Sequence, residues 1–514
     1  MRINKLYIEE FKNLKDFHID FYEQELTSVF IGKNGAGKSN VIEALVIIFR
    51  DLDLKREPSF GFKLNYICNN HDVQIISNVG KEKYTIEVDG NKLTLSHFLS
   101  EDECGNRIYF PKHVFAYYSG SSHRLEHHFD KHQEKFYHEL LDGKQNPFRR
   151  FFYARLIHSH FVLLSFFSFY DEKSKDFLKK YLDIIELESI LFVFKRPYWS
   201  KKGKYAINEF WGARGIVSDF LKSLFQDALA PISEIVSITE SFSRKSYELS
   251  YLYLKDEEKL KAFAEKYNNN IDFFKNLEST YLSDLIHEVR IKVKKSDGTR
   301  ITFNELSEGE QQLITVLGLL KFTKDEESLF LLDEPDTHLN PGWKYDYLQL
   351  LKDVVGDSET SQVIISTHDP IVIGGLTREQ VTIFSQEAGS IVATQPEIDP
   401  KGMGVAALLT GLFGLTSTVD SETQRKIDRK RELMYKANQT EEDKAEIKKI
   451  ADELGDLDFS KTTRDPLYDK FTRAVFRRNE FKKVNLTPQD LAEQEKIADQ
   501  ILDEILEDEK HAMD

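Results

Sequence analysis

The chain reads as an α/β protein whose strand-rich head is interrupted by a large insertion and followed by a charged helical tail. Short apolar runs at Leu26–Ile31, Leu329–Leu332 and Val363–Ile365 each stop abruptly at small, polar or charged residues, as buried strands do that deliver functional groups at their ends. Between the first run and the other two, apolar residues follow a helical period from about Lys131 to Leu285. From Ser421 to Asp514 glutamates and lysines interleave in a helical pattern.

The first strands alternate apolar and polar residues, at Ile3–Ile8 and Phe17–Phe21, as half-buried strands do. Leu26–Ile31 leads through a glycine-rich loop into a helix over Asn40–Phe49, with Val41, Leu45 and Ile48 on one face. Val73–Leu95 reads as hairpins turning near Asp89-Gly90, and His113–Tyr118 as a further apolar strand before the turn-like Ser119–Ser122. No sustained heptad appears in the insertion, which predicts a compact helical lobe and not a coiled-coil arm.

Size and composition set bounds on these readings. At 514 residues the chain has room for two to four units, on a scale of ~100–200 residues per domain. Its 38 Phe and 22 Tyr favour a packed body over disorder. Two cysteines, Cys68 and Cys104, are too few for a disulfide framework or a four-thiolate zinc site, and fit a reducing compartment. The opening MRINKLYIEEFKNL alternates and lacks the apolar core of a signal peptide. Phe151–Tyr170 is as apolar as a membrane span but carries Arg155, His158 and His160. A charge at the bilayer centre costs ~2.5–3.5 kcal/mol, so a buried core helix and a soluble, cytoplasmic protein are expected. The net charge of −16 disfavours nonspecific binding to nucleic acid. Basic clusters at 195–204, 292–300 and 477–483 leave room for a local patch, although each reads first as a solvated face.

The loop Gly32-Lys33-Asn34-Gly35-Ala36-Gly37-Lys38-Ser39 matches G-x-x-x-x-G-K-[ST] in full, with a strand before it and a helix after. Its glycines let backbone amides curl around phosphates, and the helix aims its positive end at them. Lys38 is expected to reach the β- and γ-phosphates of ATP, and the Ser39 hydroxyl to ligate Mg2+. The run Leu329–Leu332 ends in Asp333 and Glu334. Asp333 is the second expected magnesium ligand, and Glu334 the catalytic residue that orients and polarises the attacking water. Alone, such a pair only caps the next helix; beside the glycine loop it gains meaning.

Leu306-Ser307-Glu308-Gly309-Glu310-Gln311-Gln312 resembles the LSGGQ signature, with Glu308 in place of the first glycine. Ser307 and Glu310 also form an S-x-x-E capping box, and a capped helix start is itself an anion site. In the ABC-type dimers whose signature this resembles, that site meets the γ-phosphate held by the other subunit, and the resemblance implies the same place for Ser307, Gly309 and Glu310. His368, after Val363–Thr367, occupies the place of a switch histidine and is the second expected catalytic residue, while Asp336–Asn340 resembles the loop that crosses a dimer interface. A glutamine loop is not evident: Gln133 and Arg124 are the available residues. His123, His127 and His132 could share one helical face as metal ligands, against the plainer reading as surface or interface histidines.

In this order the motifs resemble an ABC-type (P-loop) ATPase head of the SMC/RecF-like kind, over residues 1–50 and 300–395. The order argues against kinases, GTPases and AAA+ proteins, which lack a signature helix. Four segments follow: 1–130, an ATPase lobe with a β-rich subdomain; 131–288, the helical insertion; 289–398, the second ATPase lobe; and 399–514, a helical C-terminal extension for docking a partner. Phe115–Gly120, the aromatic stretch Phe151–Phe169 and Leu409–Leu415 look like the ATPase subunits of Septu-type anti-phage systems. That resemblance implies a homodimer or higher oligomer joined through ATP-bound heads, an HNH-type nuclease partner, and in retron-associated members a reverse transcriptase with its RNA-linked DNA. The chain itself is not expected to cut DNA: no apolar strand after His368 ends in the DxD of a Toprim site, and His158-Ser159-His160 lies in an apolar helix. The alternative is a RecF-like repair ATPase that binds DNA ends directly. A transporter subunit is disfavoured because it gives no reason for the insertion.

Overall fold

The computed structural model describes residues 1–456 except 23, 78–83, 103–105, 145–148, 170–171, 201–206, 241–242, 324–326, 356–359, 388 and 437–438. Beyond 456 it describes only 478, 494, 496–498, 500–502 and 505. Along the chain, strands β1 (Arg2–Phe11), β2 (Leu14–Asp20) and β3 (Thr27–Gly32) precede helix α1 (Lys38–Asp53). Strands β4 (Phe62–Cys68), β5 (His71–Ser77), β6 (Thr85–Val88) and β7 (Asn91–Leu93) come next, then α2 (Leu95–Phe98), β8 (His113–Tyr118), α3 (Asp130–Leu141) and β9 (Phe151–Tyr153). The insertion continues with α4 (Ile157–Ser168), α5 (Glu172–Leu182), β10 (Ile184–Lys195), α6 (Gly215–Asp227), β11 (Leu229–Glu240), β12 (Ser243–Leu254), α7 (Glu257–Ala264), α8 (Asn270–Leu282) and β13 (Ile286–Lys295). The head closes with β14 (Arg300–Thr302), α9 (Glu308–Thr323), β15 (Ser328–Asp333), α10 (Pro341–Val355), β16 (Ser361–Ser366), α11 (Pro370–Ile373), β17 (Val381–Glu387), β18 (Ser390–Thr394) and α12 (Val405–Gly411).

The sheet that carries the site has the order β18-β17-β3-β16-β15-β8-β9, parallel except for the β17–β18 pair. Its strands read as unbroken apolar runs because both faces are covered. Side chains alternate between two cores. Phe30, Val114, Leu329, Leu331 and Ile364 enter one, while Val29, Ile31, Phe115, Phe330, Val363 and Ile365 enter the other. The first core also takes in α1 and the antiparallel sheet β2-β1-β4-β5-β6-β7, through Ile3, Leu6, Ile8 and Leu64. Helix α1 is thus enclosed, and Val41 through Phe49 are all buried; its apolar residues run all round, as in a core helix. The parallel register sets Asp333 opposite Tyr118 on one side and Ser366 on the other, so the ends of three strands converge.

The insertion departs from the helical expectation. It holds α4–α8, but β10–β13 also build an antiparallel sheet, β11-β12-β10-β13-β14. Bulges in β10 explain the difference for that strand, though not for the regularly paired β11 and β12: register shifts at Ile184/Glu186 and Leu187/Ser189 bring Ile184, Leu187 and Ile190 to the core. Each bulge adds one residue to the two-residue strand period, and the resulting spacing of three imitates a helix. Likewise Phe151–Tyr153 is the edge strand β9, and only Ile157–Ser168 of that apolar stretch is helix. Among the described residues no helix is long and apolar enough to cross a membrane.

Residues Met1–Gly414 form one compact unit and Leu415–Asp514 a second. The head segments are therefore not separate bodies, and the tail begins at Leu415 rather than at 399. In the second unit α13 (Ser421–Tyr435) and α14 (Glu441–Asp456) pack through Leu433, Ile450 and Leu454, with Arg429 paired to Glu446. Of the basic cluster at 477–483, within the extension expected to dock a partner, only Arg478 is among the described residues.

One buried ion pair pins the insertion to the central sheet. Arg149, just before β9, bonds Glu278 of α8, and the two side chains are 6% and 7% exposed. Its guanidinium also donates to the Phe151 carbonyl at 3.0 Å and lies 4.7 Å from the Phe152 ring centre. Removing one partner of such a pair costs about 3–5 kcal/mol, whereas replacing both by apolar residues is close to neutral. Arg149→Met should therefore lower the melting temperature far more than the double variant Arg149→Met/Glu278→Leu. Equal losses in thermal melts would show that the pair contributes only its packing.

Candidate nucleotide-binding site

The loop between β3 and α1 owes its shape to its glycines. Gly32 has φ 140°, and a Cβ there would lie 2.3 Å from the carbonyl oxygen of Phe384. Gly37, with φ 93°, caps α1 against Leu14, whose Cδ2 would be 2.8 Å from an added Cβ. Both positions exclude a side chain. Lys33, Asn34 and Gly35 are exposed, while Ala36 is buried and its amide donates to the Lys33 carbonyl at 3.2 Å. Asn13, in the β1–β2 turn, donates to the Gly35 carbonyl at 2.8 Å and accepts from Asn40 at 2.6 Å. It braces the loop from outside the motif.

Lys38 is 3% exposed, and its ammonium donates to the carbonyls of Gly32 at 2.9 Å and Lys33 at 3.2 Å. Burial lowers its pKa to about 8, against the opposing pull of Glu334 and Asp333. The Ser39 hydroxyl donates to Asp333 Oδ1 at 2.9 Å. Asp333 has no exposed surface and takes two further partners, the Ser366 hydroxyl on Oδ1 and the Arg124 guanidinium on Oδ2.

Glu334 follows with φ 54°, a left-handed conformation that costs a non-glycine residue about 1–3 kcal/mol. Its amide donates to the Ser366 carbonyl at 3.0 Å, which turns its side chain out of the strand end. His368 Nε2 lies 3.1 Å from Glu334 Oε1, and His368 Nδ1 lies 3.4 Å from Lys38 Nζ. The hydrogen bond from His368 holds the Glu334 carboxyl below its ordinary pKa, with Lys38 and Arg124 adding to that effect against desolvation. The carboxylate is ionised and a third exposed, the state in which it can accept a proton or orient a water.

The capping box forms: Ser307 N donates to Glu310 Oε2 at 2.7 Å, and Glu310 N to Ser307 Oγ at 3.2 Å. Gly309 is pressed against the turn after Glu334, where an added Cβ would stand 2.4 Å from the His338 carbonyl oxygen. Gln312 Nε2 donates to the Pro335 carbonyl at 2.5 Å. In the same turn the buried Asp336 accepts from Thr367 Oγ1 at 2.8 Å, and burial raises its pKa to about 6 despite that bond. Lys38, Ser39, Asp333, Glu334 and His368 are therefore brought together at the strand ends. Ser307 and Glu310 bond each other, and Glu310 pairs with Lys295 at 3.9 Å, outside that group.

Other expectations resolve differently. Gln133 accepts from Arg155 at 3.0 Å, while Arg124 is the residue that reaches the strand ends. Among the described residues no group of three or more His, Cys, Asp or Glu is placed to hold a metal. His123 instead pairs with Glu126, His128 with Glu43 and His132 with Asp53. Sequence reasoning missed Asn13 and named Arg124 without a reason. An arginine in the turn after an apolar strand was the only available sign.

The motifs imply ATP and Mg2+, and the residues fit them. A hydroxyl and a carboxylate oxygen converge at 2.9 Å, the hard donors magnesium prefers. The ammonium of Lys38 sits at the centre of the loop, and Gly35 faces open space, with nothing within 4 Å of an added Cβ.

Comparison with known proteins agrees with this chemistry. The Septu protein PtuA of Bacillus mycoides (strain KBAB4) is 30% identical over 223 residues, 40% of this chain and 31% of that protein. The retron Vc95 probable ATPase of Vibrio cholerae serotype O1 biovar El Tor is 26% identical over 255 residues, 41% of this chain and 48% of that protein. These matches thus span between about a third and a half of each relative. Among solved structures, the SMC head domain from Thermotoga maritima aligns with TM-score 0.33 at 15% identity, over 77% of this chain and 100% of that one. At that score the likeness supports nothing further. A family model described as AAA ATPase domain matches residues 1–373. The motif order argued against AAA+ proteins, yet the matching family model is described as an AAA ATPase domain; what the two readings share is the ATPase head. With well over half of its length matched, the chain belongs to the AAA ATPase domain family.

Proposed function

We propose that the chain is the ATP-binding and ATP-hydrolysing subunit of a bacterial anti-phage defence complex, and that it dimerises head to head through ATP and governs an associated HNH-type nuclease. The convergence of Lys38, Ser39, Asp333, Glu334 and His368 on the strand ends carries the ATPase part. The likeness to a Septu protein and to a retron ATPase supports the defence setting.

In this reading Lys38 binds the β- and γ-phosphates, and the loop amides of 33–37 surround them. Ser39 and Asp333 hold Mg2+, which supplies neutralisation of phosphate charge when bound. Glu334, kept ionised by His368, orients the attacking water and takes its proton, and His368 is placed to reach the terminal phosphate. Ser307, Gly309 and Glu310 serve the nucleotide of the second head. The cutting is left to the partner, and the second unit, Leu415–Asp514, is the docking element. In a retron setting, a reverse transcriptase with its RNA-linked DNA joins the assembly. A RecF-like role would require ATP-dependent DNA affinity in the isolated chain with a steep salt slope, and a net charge of −16 does not favour it.

Glu334→Gln should bind ATP, fail to hydrolyse it and accumulate as an ATP-bound dimer in size-exclusion chromatography, whereas Lys38→Ala should stay monomeric at the same nucleotide concentration. Like behaviour of the two would remove Glu334 from the hydrolytic role. A tagged chain purified from its native operon should bring down a small nuclease. If it elutes alone and binds DNA ends with ATP, the repair reading replaces this one.

Nucleotide affinity should also depend on pH through Lys38. Its pKa in the free site is about 8, and phosphates demand the charged form. Binding must therefore add a proton above pH 8, where affinity falls as pH rises, approaching tenfold per unit. The Kd for a fluorescent ATP analogue should rise about tenfold from pH 7 to pH 9, and a flat profile would show that Lys38 is already charged throughout.

A further inference from the structure

Three donors surround the carboxylate of Asp333, and one is a full positive charge. Arg124 lies in the turn after β8 and bonds Asp333 Oδ2, while Ser39 and Ser366 share Oδ1. Its guanidinium is 4.8 Å from the ring centre of Tyr118, the residue opposite Asp333 in the β8–β15 register. Its Nε is buried and has no hydrogen-bond partner. The arginine is thus engaged at one end, with a donor left unspent inside the site.

This arrangement is at odds with metal binding as it stands. If Ser39 and Asp333 take a divalent cation, a guanidinium on the same carboxylate faces two further positive charges in a poorly hydrated pocket. Without metal, in turn, an Asp333 stripped of Arg124 would be a buried anion hydrogen-bonded by two hydroxyls alone, with Lys38 nearby but spent on loop carbonyls, an expensive state. Tyr118 offers the guanidinium a cation–π seat that does not depend on Asp333.

We propose that Arg124 is a stand-in cation and nucleotide-sensing residue: it neutralises Asp333 while the site is empty, yields that carboxylate when Mg-ATP binds, and turns its freed N–H groups to the phosphates. The proposal rests on the ATP-binding reading of this site. It gives the chain a side chain whose position reports occupancy at the end of β8, a strand that leads directly into the turn of 119–125 and on to α3.

The test compares full-length wild type, Arg124→Gln, Arg124→Lys and Lys38→Ala, first by thermal melts in EDTA and in millimolar Mg2+ without nucleotide. Wild type should be indifferent to Mg2+ alone. Arg124→Gln should melt lower in EDTA and recover in Mg2+, because Asp333 then lacks a cation of its own. Arg124→Lys keeps a positive charge there and should show no Mg2+-only shift. Fluorescent ATP with Mg2+ should bind about ten- to a hundredfold more weakly to both Arg124 variants, the loss of a charged hydrogen bond. If Arg124→Gln melts lower and Mg2+ alone does not restore it, Arg124 is only a structural ion pair and the proposal fails. Wild-type affinity for Mg-ATP in Arg124→Gln would also overturn it. The ATP-site reading has its own control: tight binding by Lys38→Ala would sink that reading, whereas lost binding in Lys38→Ala with unchanged binding in Arg124→Gln would sink only the role of Arg124.

Discussion

A carboxylate with no exposed surface, that of Asp333, sets the terms for the head. Burying an ionised group costs several kcal/mol unless its oxygens are filled with donors, and no single segment can supply enough of them. Ser39 comes from the first turn of α1, Ser366 from the end of β16 and Arg124 from the turn after β8. To deliver all three, β15 must lie between β8 and β16, with β3 beside β16, as the parallel register has it. The apolar runs that flank these residues hold that order by entering two cores from opposite faces of one sheet. The left-handed backbone of Glu334 follows from the same constraint: its amide is drawn to Ser366, and its side chain leaves the strand toward His368.

What was legible in the sequence was what is local in the chain. The glycine loop, the Asp333-Glu334 pair and the Ser307–Glu310 box each work through residues a few positions apart, so spacing alone reveals them. Arg124 and Asn13 act across 209 and 22 residues; a place in the turn after an apolar strand is all that marks Arg124, and nothing nearby in sequence marks Asn13. The insertion misled for a different reason. Bulges in β10 shift the buried positions from every second residue to every third, and a helix shows nearly the same interval. Irregular pairing hid β10 alone: β11 and β12 pair in regular register from Ile232↔Tyr251 to Glu240↔Ser243, and no bulge within that stretch accounts for the helical reading there.

The histidines after β8 show how an unusual composition can have a structural cause. Helix α1 is enclosed between two sheets, yet it carries Glu43, Asp51 and Asp53 into that interior. His128 meets Glu43, and His132, Arg107 and Arg150 meet Asp53. Burial alone would raise the Asp53 carboxyl, but the His132 hydrogen bond and the two arginine charges overcome it and hold the group at about 2. The far end of α1 is in this way tied to α3 by charged hydrogen bonds, not by packing alone, and of the histidines that looked like metal ligands His123 and His132 are spent on acids while His127 meets the His123 carbonyl.

The turn after Glu334 joins the parts of the head that the proposed dimer would need to move together. Asp333 is sealed, but Glu334 and His368 remain about a third exposed, so the Glu334 side of the site is open within one chain. Residues 335–339 leave that open edge and run directly under the start of α9. There the His338 carbonyl faces Gly309 too closely for any side chain, and Gln312 holds Pro335. Ser119, from the turn after β8, reaches Thr337 in the same segment at 3.0 Å. Glu334 and the start of α9 are thus joined through one short stretch of backbone, with no side chain at Gly309 between them. Under the proposed dimer, in which Ser307, Gly309 and Glu310 face the other nucleotide, that stretch lies in each head between its own Glu334 and the residues offered to its neighbour.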